Sequence, residues 1–135
     1  MDKLFNWVSV SAAVVGGTFG ILFGGFDKML IALLIIMAVD YITGVIKAIY
    51  NKKLSSEIGF KGLLKKTVLL AVVVLSNTLQ ELTGGEIEIR SVVIMFYIAN
   101  EGISILENVA AVSDAIPPGL KEVLLQLRDR DAKKE

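Results

Sequence analysis

Leu4–Phe26 reads LFNWVSVSAAVVGGTFGILFGGF, 23 consecutive residues without a charge, closed by Lys3 on one side and Asp27 on the other. A helix needs about 20 apolar residues to cross the hydrocarbon of a bilayer, and this run supplies them without a break. The apolar core of a secretory signal is only about 7–15 residues and ends at a small-residue cleavage site, so the segment is read as a membrane span. Trp7, near its start, is placed to anchor at the interface.

The rest of the chain continues in the same character. Of its 135 residues 54% are hydrophobic and 21% charged, at a mean hydropathy of +0.67, against about 45–50% and 25% in soluble domains. A second apolar run, Met29–Ile46, is broken once by Asp40 and followed by Tyr50 as an interfacial anchor. The third, Thr67–Gln80, has 14 uncharged residues, short for a span. Leu63, Leu64 and the long stems of Lys65 and Lys66, with ammonium groups expected to reach the headgroups, extend it toward Leu82. A fourth run follows Arg90, continues to about Val112 with Glu101 and Glu107 inside it, and is ended by Pro117 and Pro118. Beyond it, Leu120, Val123, Leu124 and Leu127 alternate with charged residues in an amphipathic helix too short to span, expected on the membrane surface or against a partner.

The predicted fold is therefore an all-α integral membrane protein with four transmembrane helices and a short C-terminal amphipathic helix. The spans fall at about 4–26, 29–50, 63–82 and 91–113, within a membrane domain 1–113, and an amphipathic, charged tail occupies 114–135. Three spans are the alternative, should the short third run not cross. Lys and Arg set orientation: Lys47, Lys52, Lys53, Lys61, Lys65 and Lys66 make a basic loop expected in the cytoplasm. Four crossings then put both termini there as well, leaving only Lys28 and Arg90 outside.

Composition excludes several functions. Without cysteine or histidine the chain lacks thiolate metal ligands and the commonest general base; no catalytic, cofactor-binding or metal-binding residue is assigned. Fourteen basic residues balance fourteen acidic ones, so no surplus of positive charge is present for nucleic acid. The lipid bilayer is the expected partner, and close helix packing is expected within one chain or between copies of it. Ala12, Gly16, Gly20 and Gly24 recur every four residues along the first span, a repeated small-xxx-small stripe expected to pack helices closely.

Charges inside the spans need company, because an ionisable group at the bilayer centre costs about 2.5–3.5 kcal/mol on insertion scales. Asp40 shares a face with Lys47, about 10 Å further along the helix, and Thr43 and Gly44 make a small polar patch beside it. It is expected to be paired, protonated or facing water, either as part of a wet or subunit-facing position or as a carboxylate that fixes helix register. In the fourth run Asn100, Ser104, Glu107 and Asn108 recur at helical spacing with Glu101 flanking, opposite Ile98, Gly102, Ile105 and Val109. That polar stripe is expected to face a bundle interior, an oligomeric lesion or the membrane interface.

Three groups of residues together resemble a known family: Asp40-Tyr41-Ile42-Thr43-Gly44; Gly59 and Gly62 beside the basic loop; and Asn100-Glu101-Gly102-Ile103-Ser104-Ile105-Leu106-Glu107-Asn108 followed by Ile116-Pro117-Pro118. They resemble the phage-lysis and toxin-secretion holins of Gram-positive bacteria and their phages, over nearly the whole chain. The resemblance implies a small protein of the bacterial cytoplasmic membrane that oligomerises and opens lesions, releasing an endolysin or a large toxin without necessarily touching it. It implies no catalytic residues, and pore or assembly roles for Asp40, Thr43, Gly44, Asn100, Glu101, Ser104, Glu107 and Asn108. No second methionine near the start offers a paired initiation site. A small channel or transporter, or a membrane anchor recruiting a partner, are the competing readings of the residues alone.

Overall fold

The computed structural model describes residues 1–132; Lys133, Lys134 and Glu135 of the expected tail lie outside the described residues. The described chain forms five helices: α1 (Asp2–Phe23), α2 (Lys28–Tyr50), α3 (Ser56–Leu82), α4 (Ile89–Ala110) and α5 (Leu120–Ala132). Three of them, α1, α2 and α4, are long and apolar enough to cross a membrane. α3 is the longest at 27 residues, about 40 Å of helix, although it is more polar. It extends past both ends of the short third apolar run because Ser55 caps it, the side-chain oxygen accepting from the Ile58 N–H at 3.2 Å.

Helix starts and stops follow local chemistry. Asp27 caps α2 in the same way, its Oδ1 accepting from the Leu30 N–H at 3.0 Å. α1 ends at Gly24, whose φ of +79° is left-handed and whose N–H donates back to the Gly20 carbonyl, a common helix terminator. Gly24 of the small-residue stripe is therefore also the cap of α1. A Cβ at that position would run into the Asn77 and Arg90 side chains.

Packing uses one face of each of α2, α3 and α4. Leu30, Leu33 and Met37 from α2, Leu69 and Val73 from α3, and Ile94 from α4 form the buried core, with Phe23 closing it from α1. The outer faces carry large apolar side chains in the open: Ile31, Ile35, Ile42, Ile46 and Ile49 on α2 are all exposed. Apolar surface on that scale is unfavourable in water and is what hydrocarbon contact requires. α1 stands further out, with only Phe23 buried.

α5 folds back along α4 and does not stand free. Leu124 sits over Gly102, so close that a Cβ there would lie 3.0 Å from the Leu124 side chain. The partner expected for this amphipathic helix is thus α4 of its own chain, and Gly102, counted on the apolar face of the fourth run, is the notch that admits it.

Candidate functional site

The inward faces of α2, α3 and α4 share one pattern, an apolar stretch between one polar layer at mid-helix and another toward one end. On α4 the sequence of inward residues runs Arg90, Ile94, Glu101, Asn108; on α3 it runs Asn77, Val73, Leu69, Lys66. The spacing from Arg90 to Glu101 is eleven residues, about 16 Å of helix rise. That is roughly half the hydrocarbon thickness of about 30 Å. Two polar layers therefore bracket the core, and both matter.

The first layer holds the charges at mid-helix. Lys66 Nζ lies 2.7 Å from Asp40 Oδ2 and is also paired with Glu101 Oε2. All three side chains are largely buried, at 13–15% exposure. Asn108 completes the cluster, its Nδ2 donating to Asp40 Oδ1 at 3.1 Å and to Thr43 Oγ1 at 3.1 Å. Thr43 in turn donates to the Val39 carbonyl at 2.9 Å. One ammonium thus ties three helices, with two carboxylates held by a single cation. Charges of this kind are tolerated at depth because they are paired and hydrogen-bonded.

Two expectations change here. Lys66 does not reach for the headgroups: with Asp40 and Glu101 opposite it, inward pairing offers two charge-assisted contacts at once. Asp40 accordingly meets Lys66, and no ion pair to Lys47 forms among the described residues. The polar stripe of the fourth run also divides. Glu101 and Asn108 turn into the bundle and Ser104 lines the cleft beside them, whereas Glu107 is exposed on another side of α4. The helical turn of 100° per residue separates 101 and 108 from 107 by about 100–120°. Asn100 is half-buried and bonds to none of these groups.

A cleft of about 320 Å³ opens beside the cluster, with Asp40, Lys66, Glu101, Ser104 and Asn108 at its polar end and Val45, Ala48 and Ile58 among its apolar walls. Its width depends on glycines. Tyr41 lies flat against α3 where Gly59 and Gly62 leave room, with a Cβ on either expected 3.3–3.4 Å from the ring or hydroxyl, and its hydroxyl approaches the Gly59 carbonyl at 3.4 Å. Gly44 plays the same part opposite Asn108.

The second layer was not anticipated from the sequence beyond its charges. Arg90, 6% exposed, reaches across to the end of α1 and the start of α2. Its Nε donates to the Phe23 carbonyl at 2.6 Å, and its two terminal nitrogens grip Asp27 at 2.7 and 3.1 Å. Asn77 donates to the carbonyls of Ile21 and Leu22 at 3.3 and 3.2 Å, so the free C-terminal carbonyls of α1 are satisfied by side chains from α3 and α4. The guanidinium at Asp27 holds that carboxyl below its ordinary range, aided by the Leu30 N–H and opposed by partial burial. A signal was available: Arg90 is the one basic residue between Lys66 and Lys121, and Asn77 the one carboxamide in the third apolar run before Gln80.

The remaining stripe residues of α1 have no counterpart within the chain. A Cβ at Gly16, Gly17 or Gly20 would meet nothing within 4 Å, and Ala12 is exposed beside them. Among the described residues no group of acidic side chains is arranged to hold a metal ion.

A family model described as the bacteriophage holin family matches residues 17–129. An uncharacterized 14.9 kDa protein in the nagH 3′ region of Clostridium perfringens is 40% identical over 131 residues, 96% of this chain and 99% of that protein. The uncharacterized protein YtkC of Bacillus subtilis is 33% identical over 134 residues, 99% of each chain. No solved structure matches.

Proposed function

Because the chain belongs to the bacteriophage holin family, we propose that it acts as a holin, oligomerising in the bacterial cytoplasmic membrane and opening lesions through which an endolysin or a large toxin leaves the cell. The observation that carries this reading is the Asp40–Lys66–Glu101 cluster at mid-helix. Within one chain it locks three helices together; in a water-filled lesion the same three groups can hydrate instead of pairing. A site that is satisfied in both states leaves only a small free-energy difference between them, which an assembly equilibrium can tip.

In this reading α3 runs antiparallel to α2 and α4 as the third of four crossings, the α2–α3 loop and both termini are cytoplasmic, and the basic asymmetry sets that orientation. Assembly uses α1, the helix with the least contact to its own bundle and an open small-residue stripe at Ala12, Gly16 and Gly20. The chain performs no catalysis.

Induced expression is expected to stop growth abruptly and to let a co-expressed endolysin without a signal sequence lyse the cells. Gly20→Leu, which would push a facing backbone away, should delay lysis and reduce crosslinked oligomers. Val14→Leu, on the exposed far side of α1, should do neither. Uninterrupted growth at a verified membrane level of the unaltered chain would reject the reading.

A further inference from the structure

Where α2 ends and α3 begins, a second cleft of about 500 Å³ adjoins the first, and four lysines converge on it: Lys47 from the last turn of α2, Lys53 from the connecting turn, and Lys61 and Lys65 from α3. No carboxylate lines it. Lys47, Lys53 and Lys65 form no ion pair among the described residues, and Lys61 has only an exposed i,i+4 contact to Glu57 at 3.0 Å, a kind of pair that holds its cation weakly. Asp40 and Glu101 line the adjoining cleft and are engaged by Lys66.

Four like charges gathered at one concave site repel one another unless an anion sits among them. The same region also has an apolar side. Ala48 and Ile58 line the cleft among the lysines, and Ile58 is 51% exposed. Lys47 stands one turn before the end of an apolar helix, the level at which a spanning helix leaves hydrocarbon for headgroups. Free phosphate could use the ammonium groups and would leave the apolar wall of the cleft bare. A molecule with a phosphate at the interface and an acyl chain below it uses both.

We propose that this cleft is a binding site for the headgroup of an anionic phospholipid. The phosphate lies among Lys47, Lys53, Lys61 and Lys65, with the acyl chains below it in the bilayer. Lysine suits the role because its compact ammonium group acts as a point charge with three donors and needs no fixed fork geometry. Basic clefts between membrane helices near the interface recognise headgroups in this manner. The inference concerns lipid recognition and does not depend on whether lesions form.

The full chain, purified in neutral detergent, tests it. Phosphatidylglycerol and phosphatidylcholine with identical acyl chains are added separately, and retained lipid is counted by native mass spectrometry alongside the thermal unfolding midpoint. Phosphatidylglycerol is expected to be retained preferentially and to raise the midpoint. Lys47→Gln combined with Lys65→Gln should cut that preference by about tenfold or more, since each lysine near an anionic surface contributes about a fivefold effect. Lys28→Gln, at the other end of α2 and about 28 Å of helix from Lys47, should leave it intact. Both variant lysines make no protein contact that folding needs, so the midpoint in phosphatidylcholine checks that each variant is folded. Full retention of phosphatidylglycerol by the folded double variant overturns the proposal. An equal rise in midpoint with inorganic phosphate alone overturns it too, by assigning the site to the free anion.

Discussion

Lys66→Met is expected to lower the unfolding free energy by about 3–5 kcal/mol, the range found when one partner of a buried ion pair is removed. Methionine approximates the aliphatic stem but leaves Asp40 and Glu101 facing each other among α2, α3 and α4 with no cation between them. The adjoining cleft admits some water, which argues for the lower end of that range. Denaturation of the purified chain in neutral detergent, followed by helicity, measures the loss. Adding Asp40→Asn and Glu101→Gln to the Lys66→Met chain should recover most of it, because neutral amides can hydrogen-bond where two carboxylates repel. Lys65→Met, one residue away and exposed, should shift stability by less than about 0.5 kcal/mol. Failure of the triple variant to regain stability would show that Lys66 acts through packing and not through charge.

The second large effect belongs to the other polar layer. Arg90→Met is expected to unfasten α1, since it strips the Phe23 and Gly25 carbonyls and Asp27 of their shared donor. Each buried group left without a partner costs about 1–3 kcal/mol. α1 has little else to hold it, so the loss should fall on this helix and not on the α2–α3–α4 core. Trp7, the sole tryptophan of the chain, lies on α1 and reports its freedom: its fluorescence anisotropy in vesicles should drop in the variant while overall helicity stays constant.

A pH dependence accompanies the clasp. The Asp27 carboxyl titrates below its ordinary value of 3.8 when folded, so the stabilisation it supplies is complete above that value and is lost as pH falls through the lower folded value. Acidification below about pH 4 should therefore lower Trp7 anisotropy in the unaltered chain and change it little in Arg90→Met. Equal acid responses in both chains would place the titrating group elsewhere.

Helix positions were readable from local composition. Runs of uncharged residues have a length that either reaches across hydrocarbon or does not, and serine, aspartate and glycine mark where α3 and α2 start and α1 stops through contacts within a few residues. The all-helical membrane fold and the family words around Asp40 and Asn100–Asn108 follow from such short-range information. The destination of each charge does not. Lys66 is 26 residues from Asp40 and 35 from Glu101, and in one dimension it is indistinguishable from Lys65, which is exposed and pairs with neither carboxylate.

Arg90 poses the same problem at greater range, meeting backbone carbonyls 65 and 67 residues earlier in the chain; only a folded bundle brings those atoms together. Helical periodicity could group Glu101, Glu107 and Asn108 on one broad polar surface, yet α2 and α3 cover only part of it, leaving Glu107 outside. The sequence alone thus determined where helices form and that their buried charges require partners, because both are consequences of local solvation. The tertiary structure decided which partners they take, because an ion pair depends on the relative rotation and depth of two packed helices.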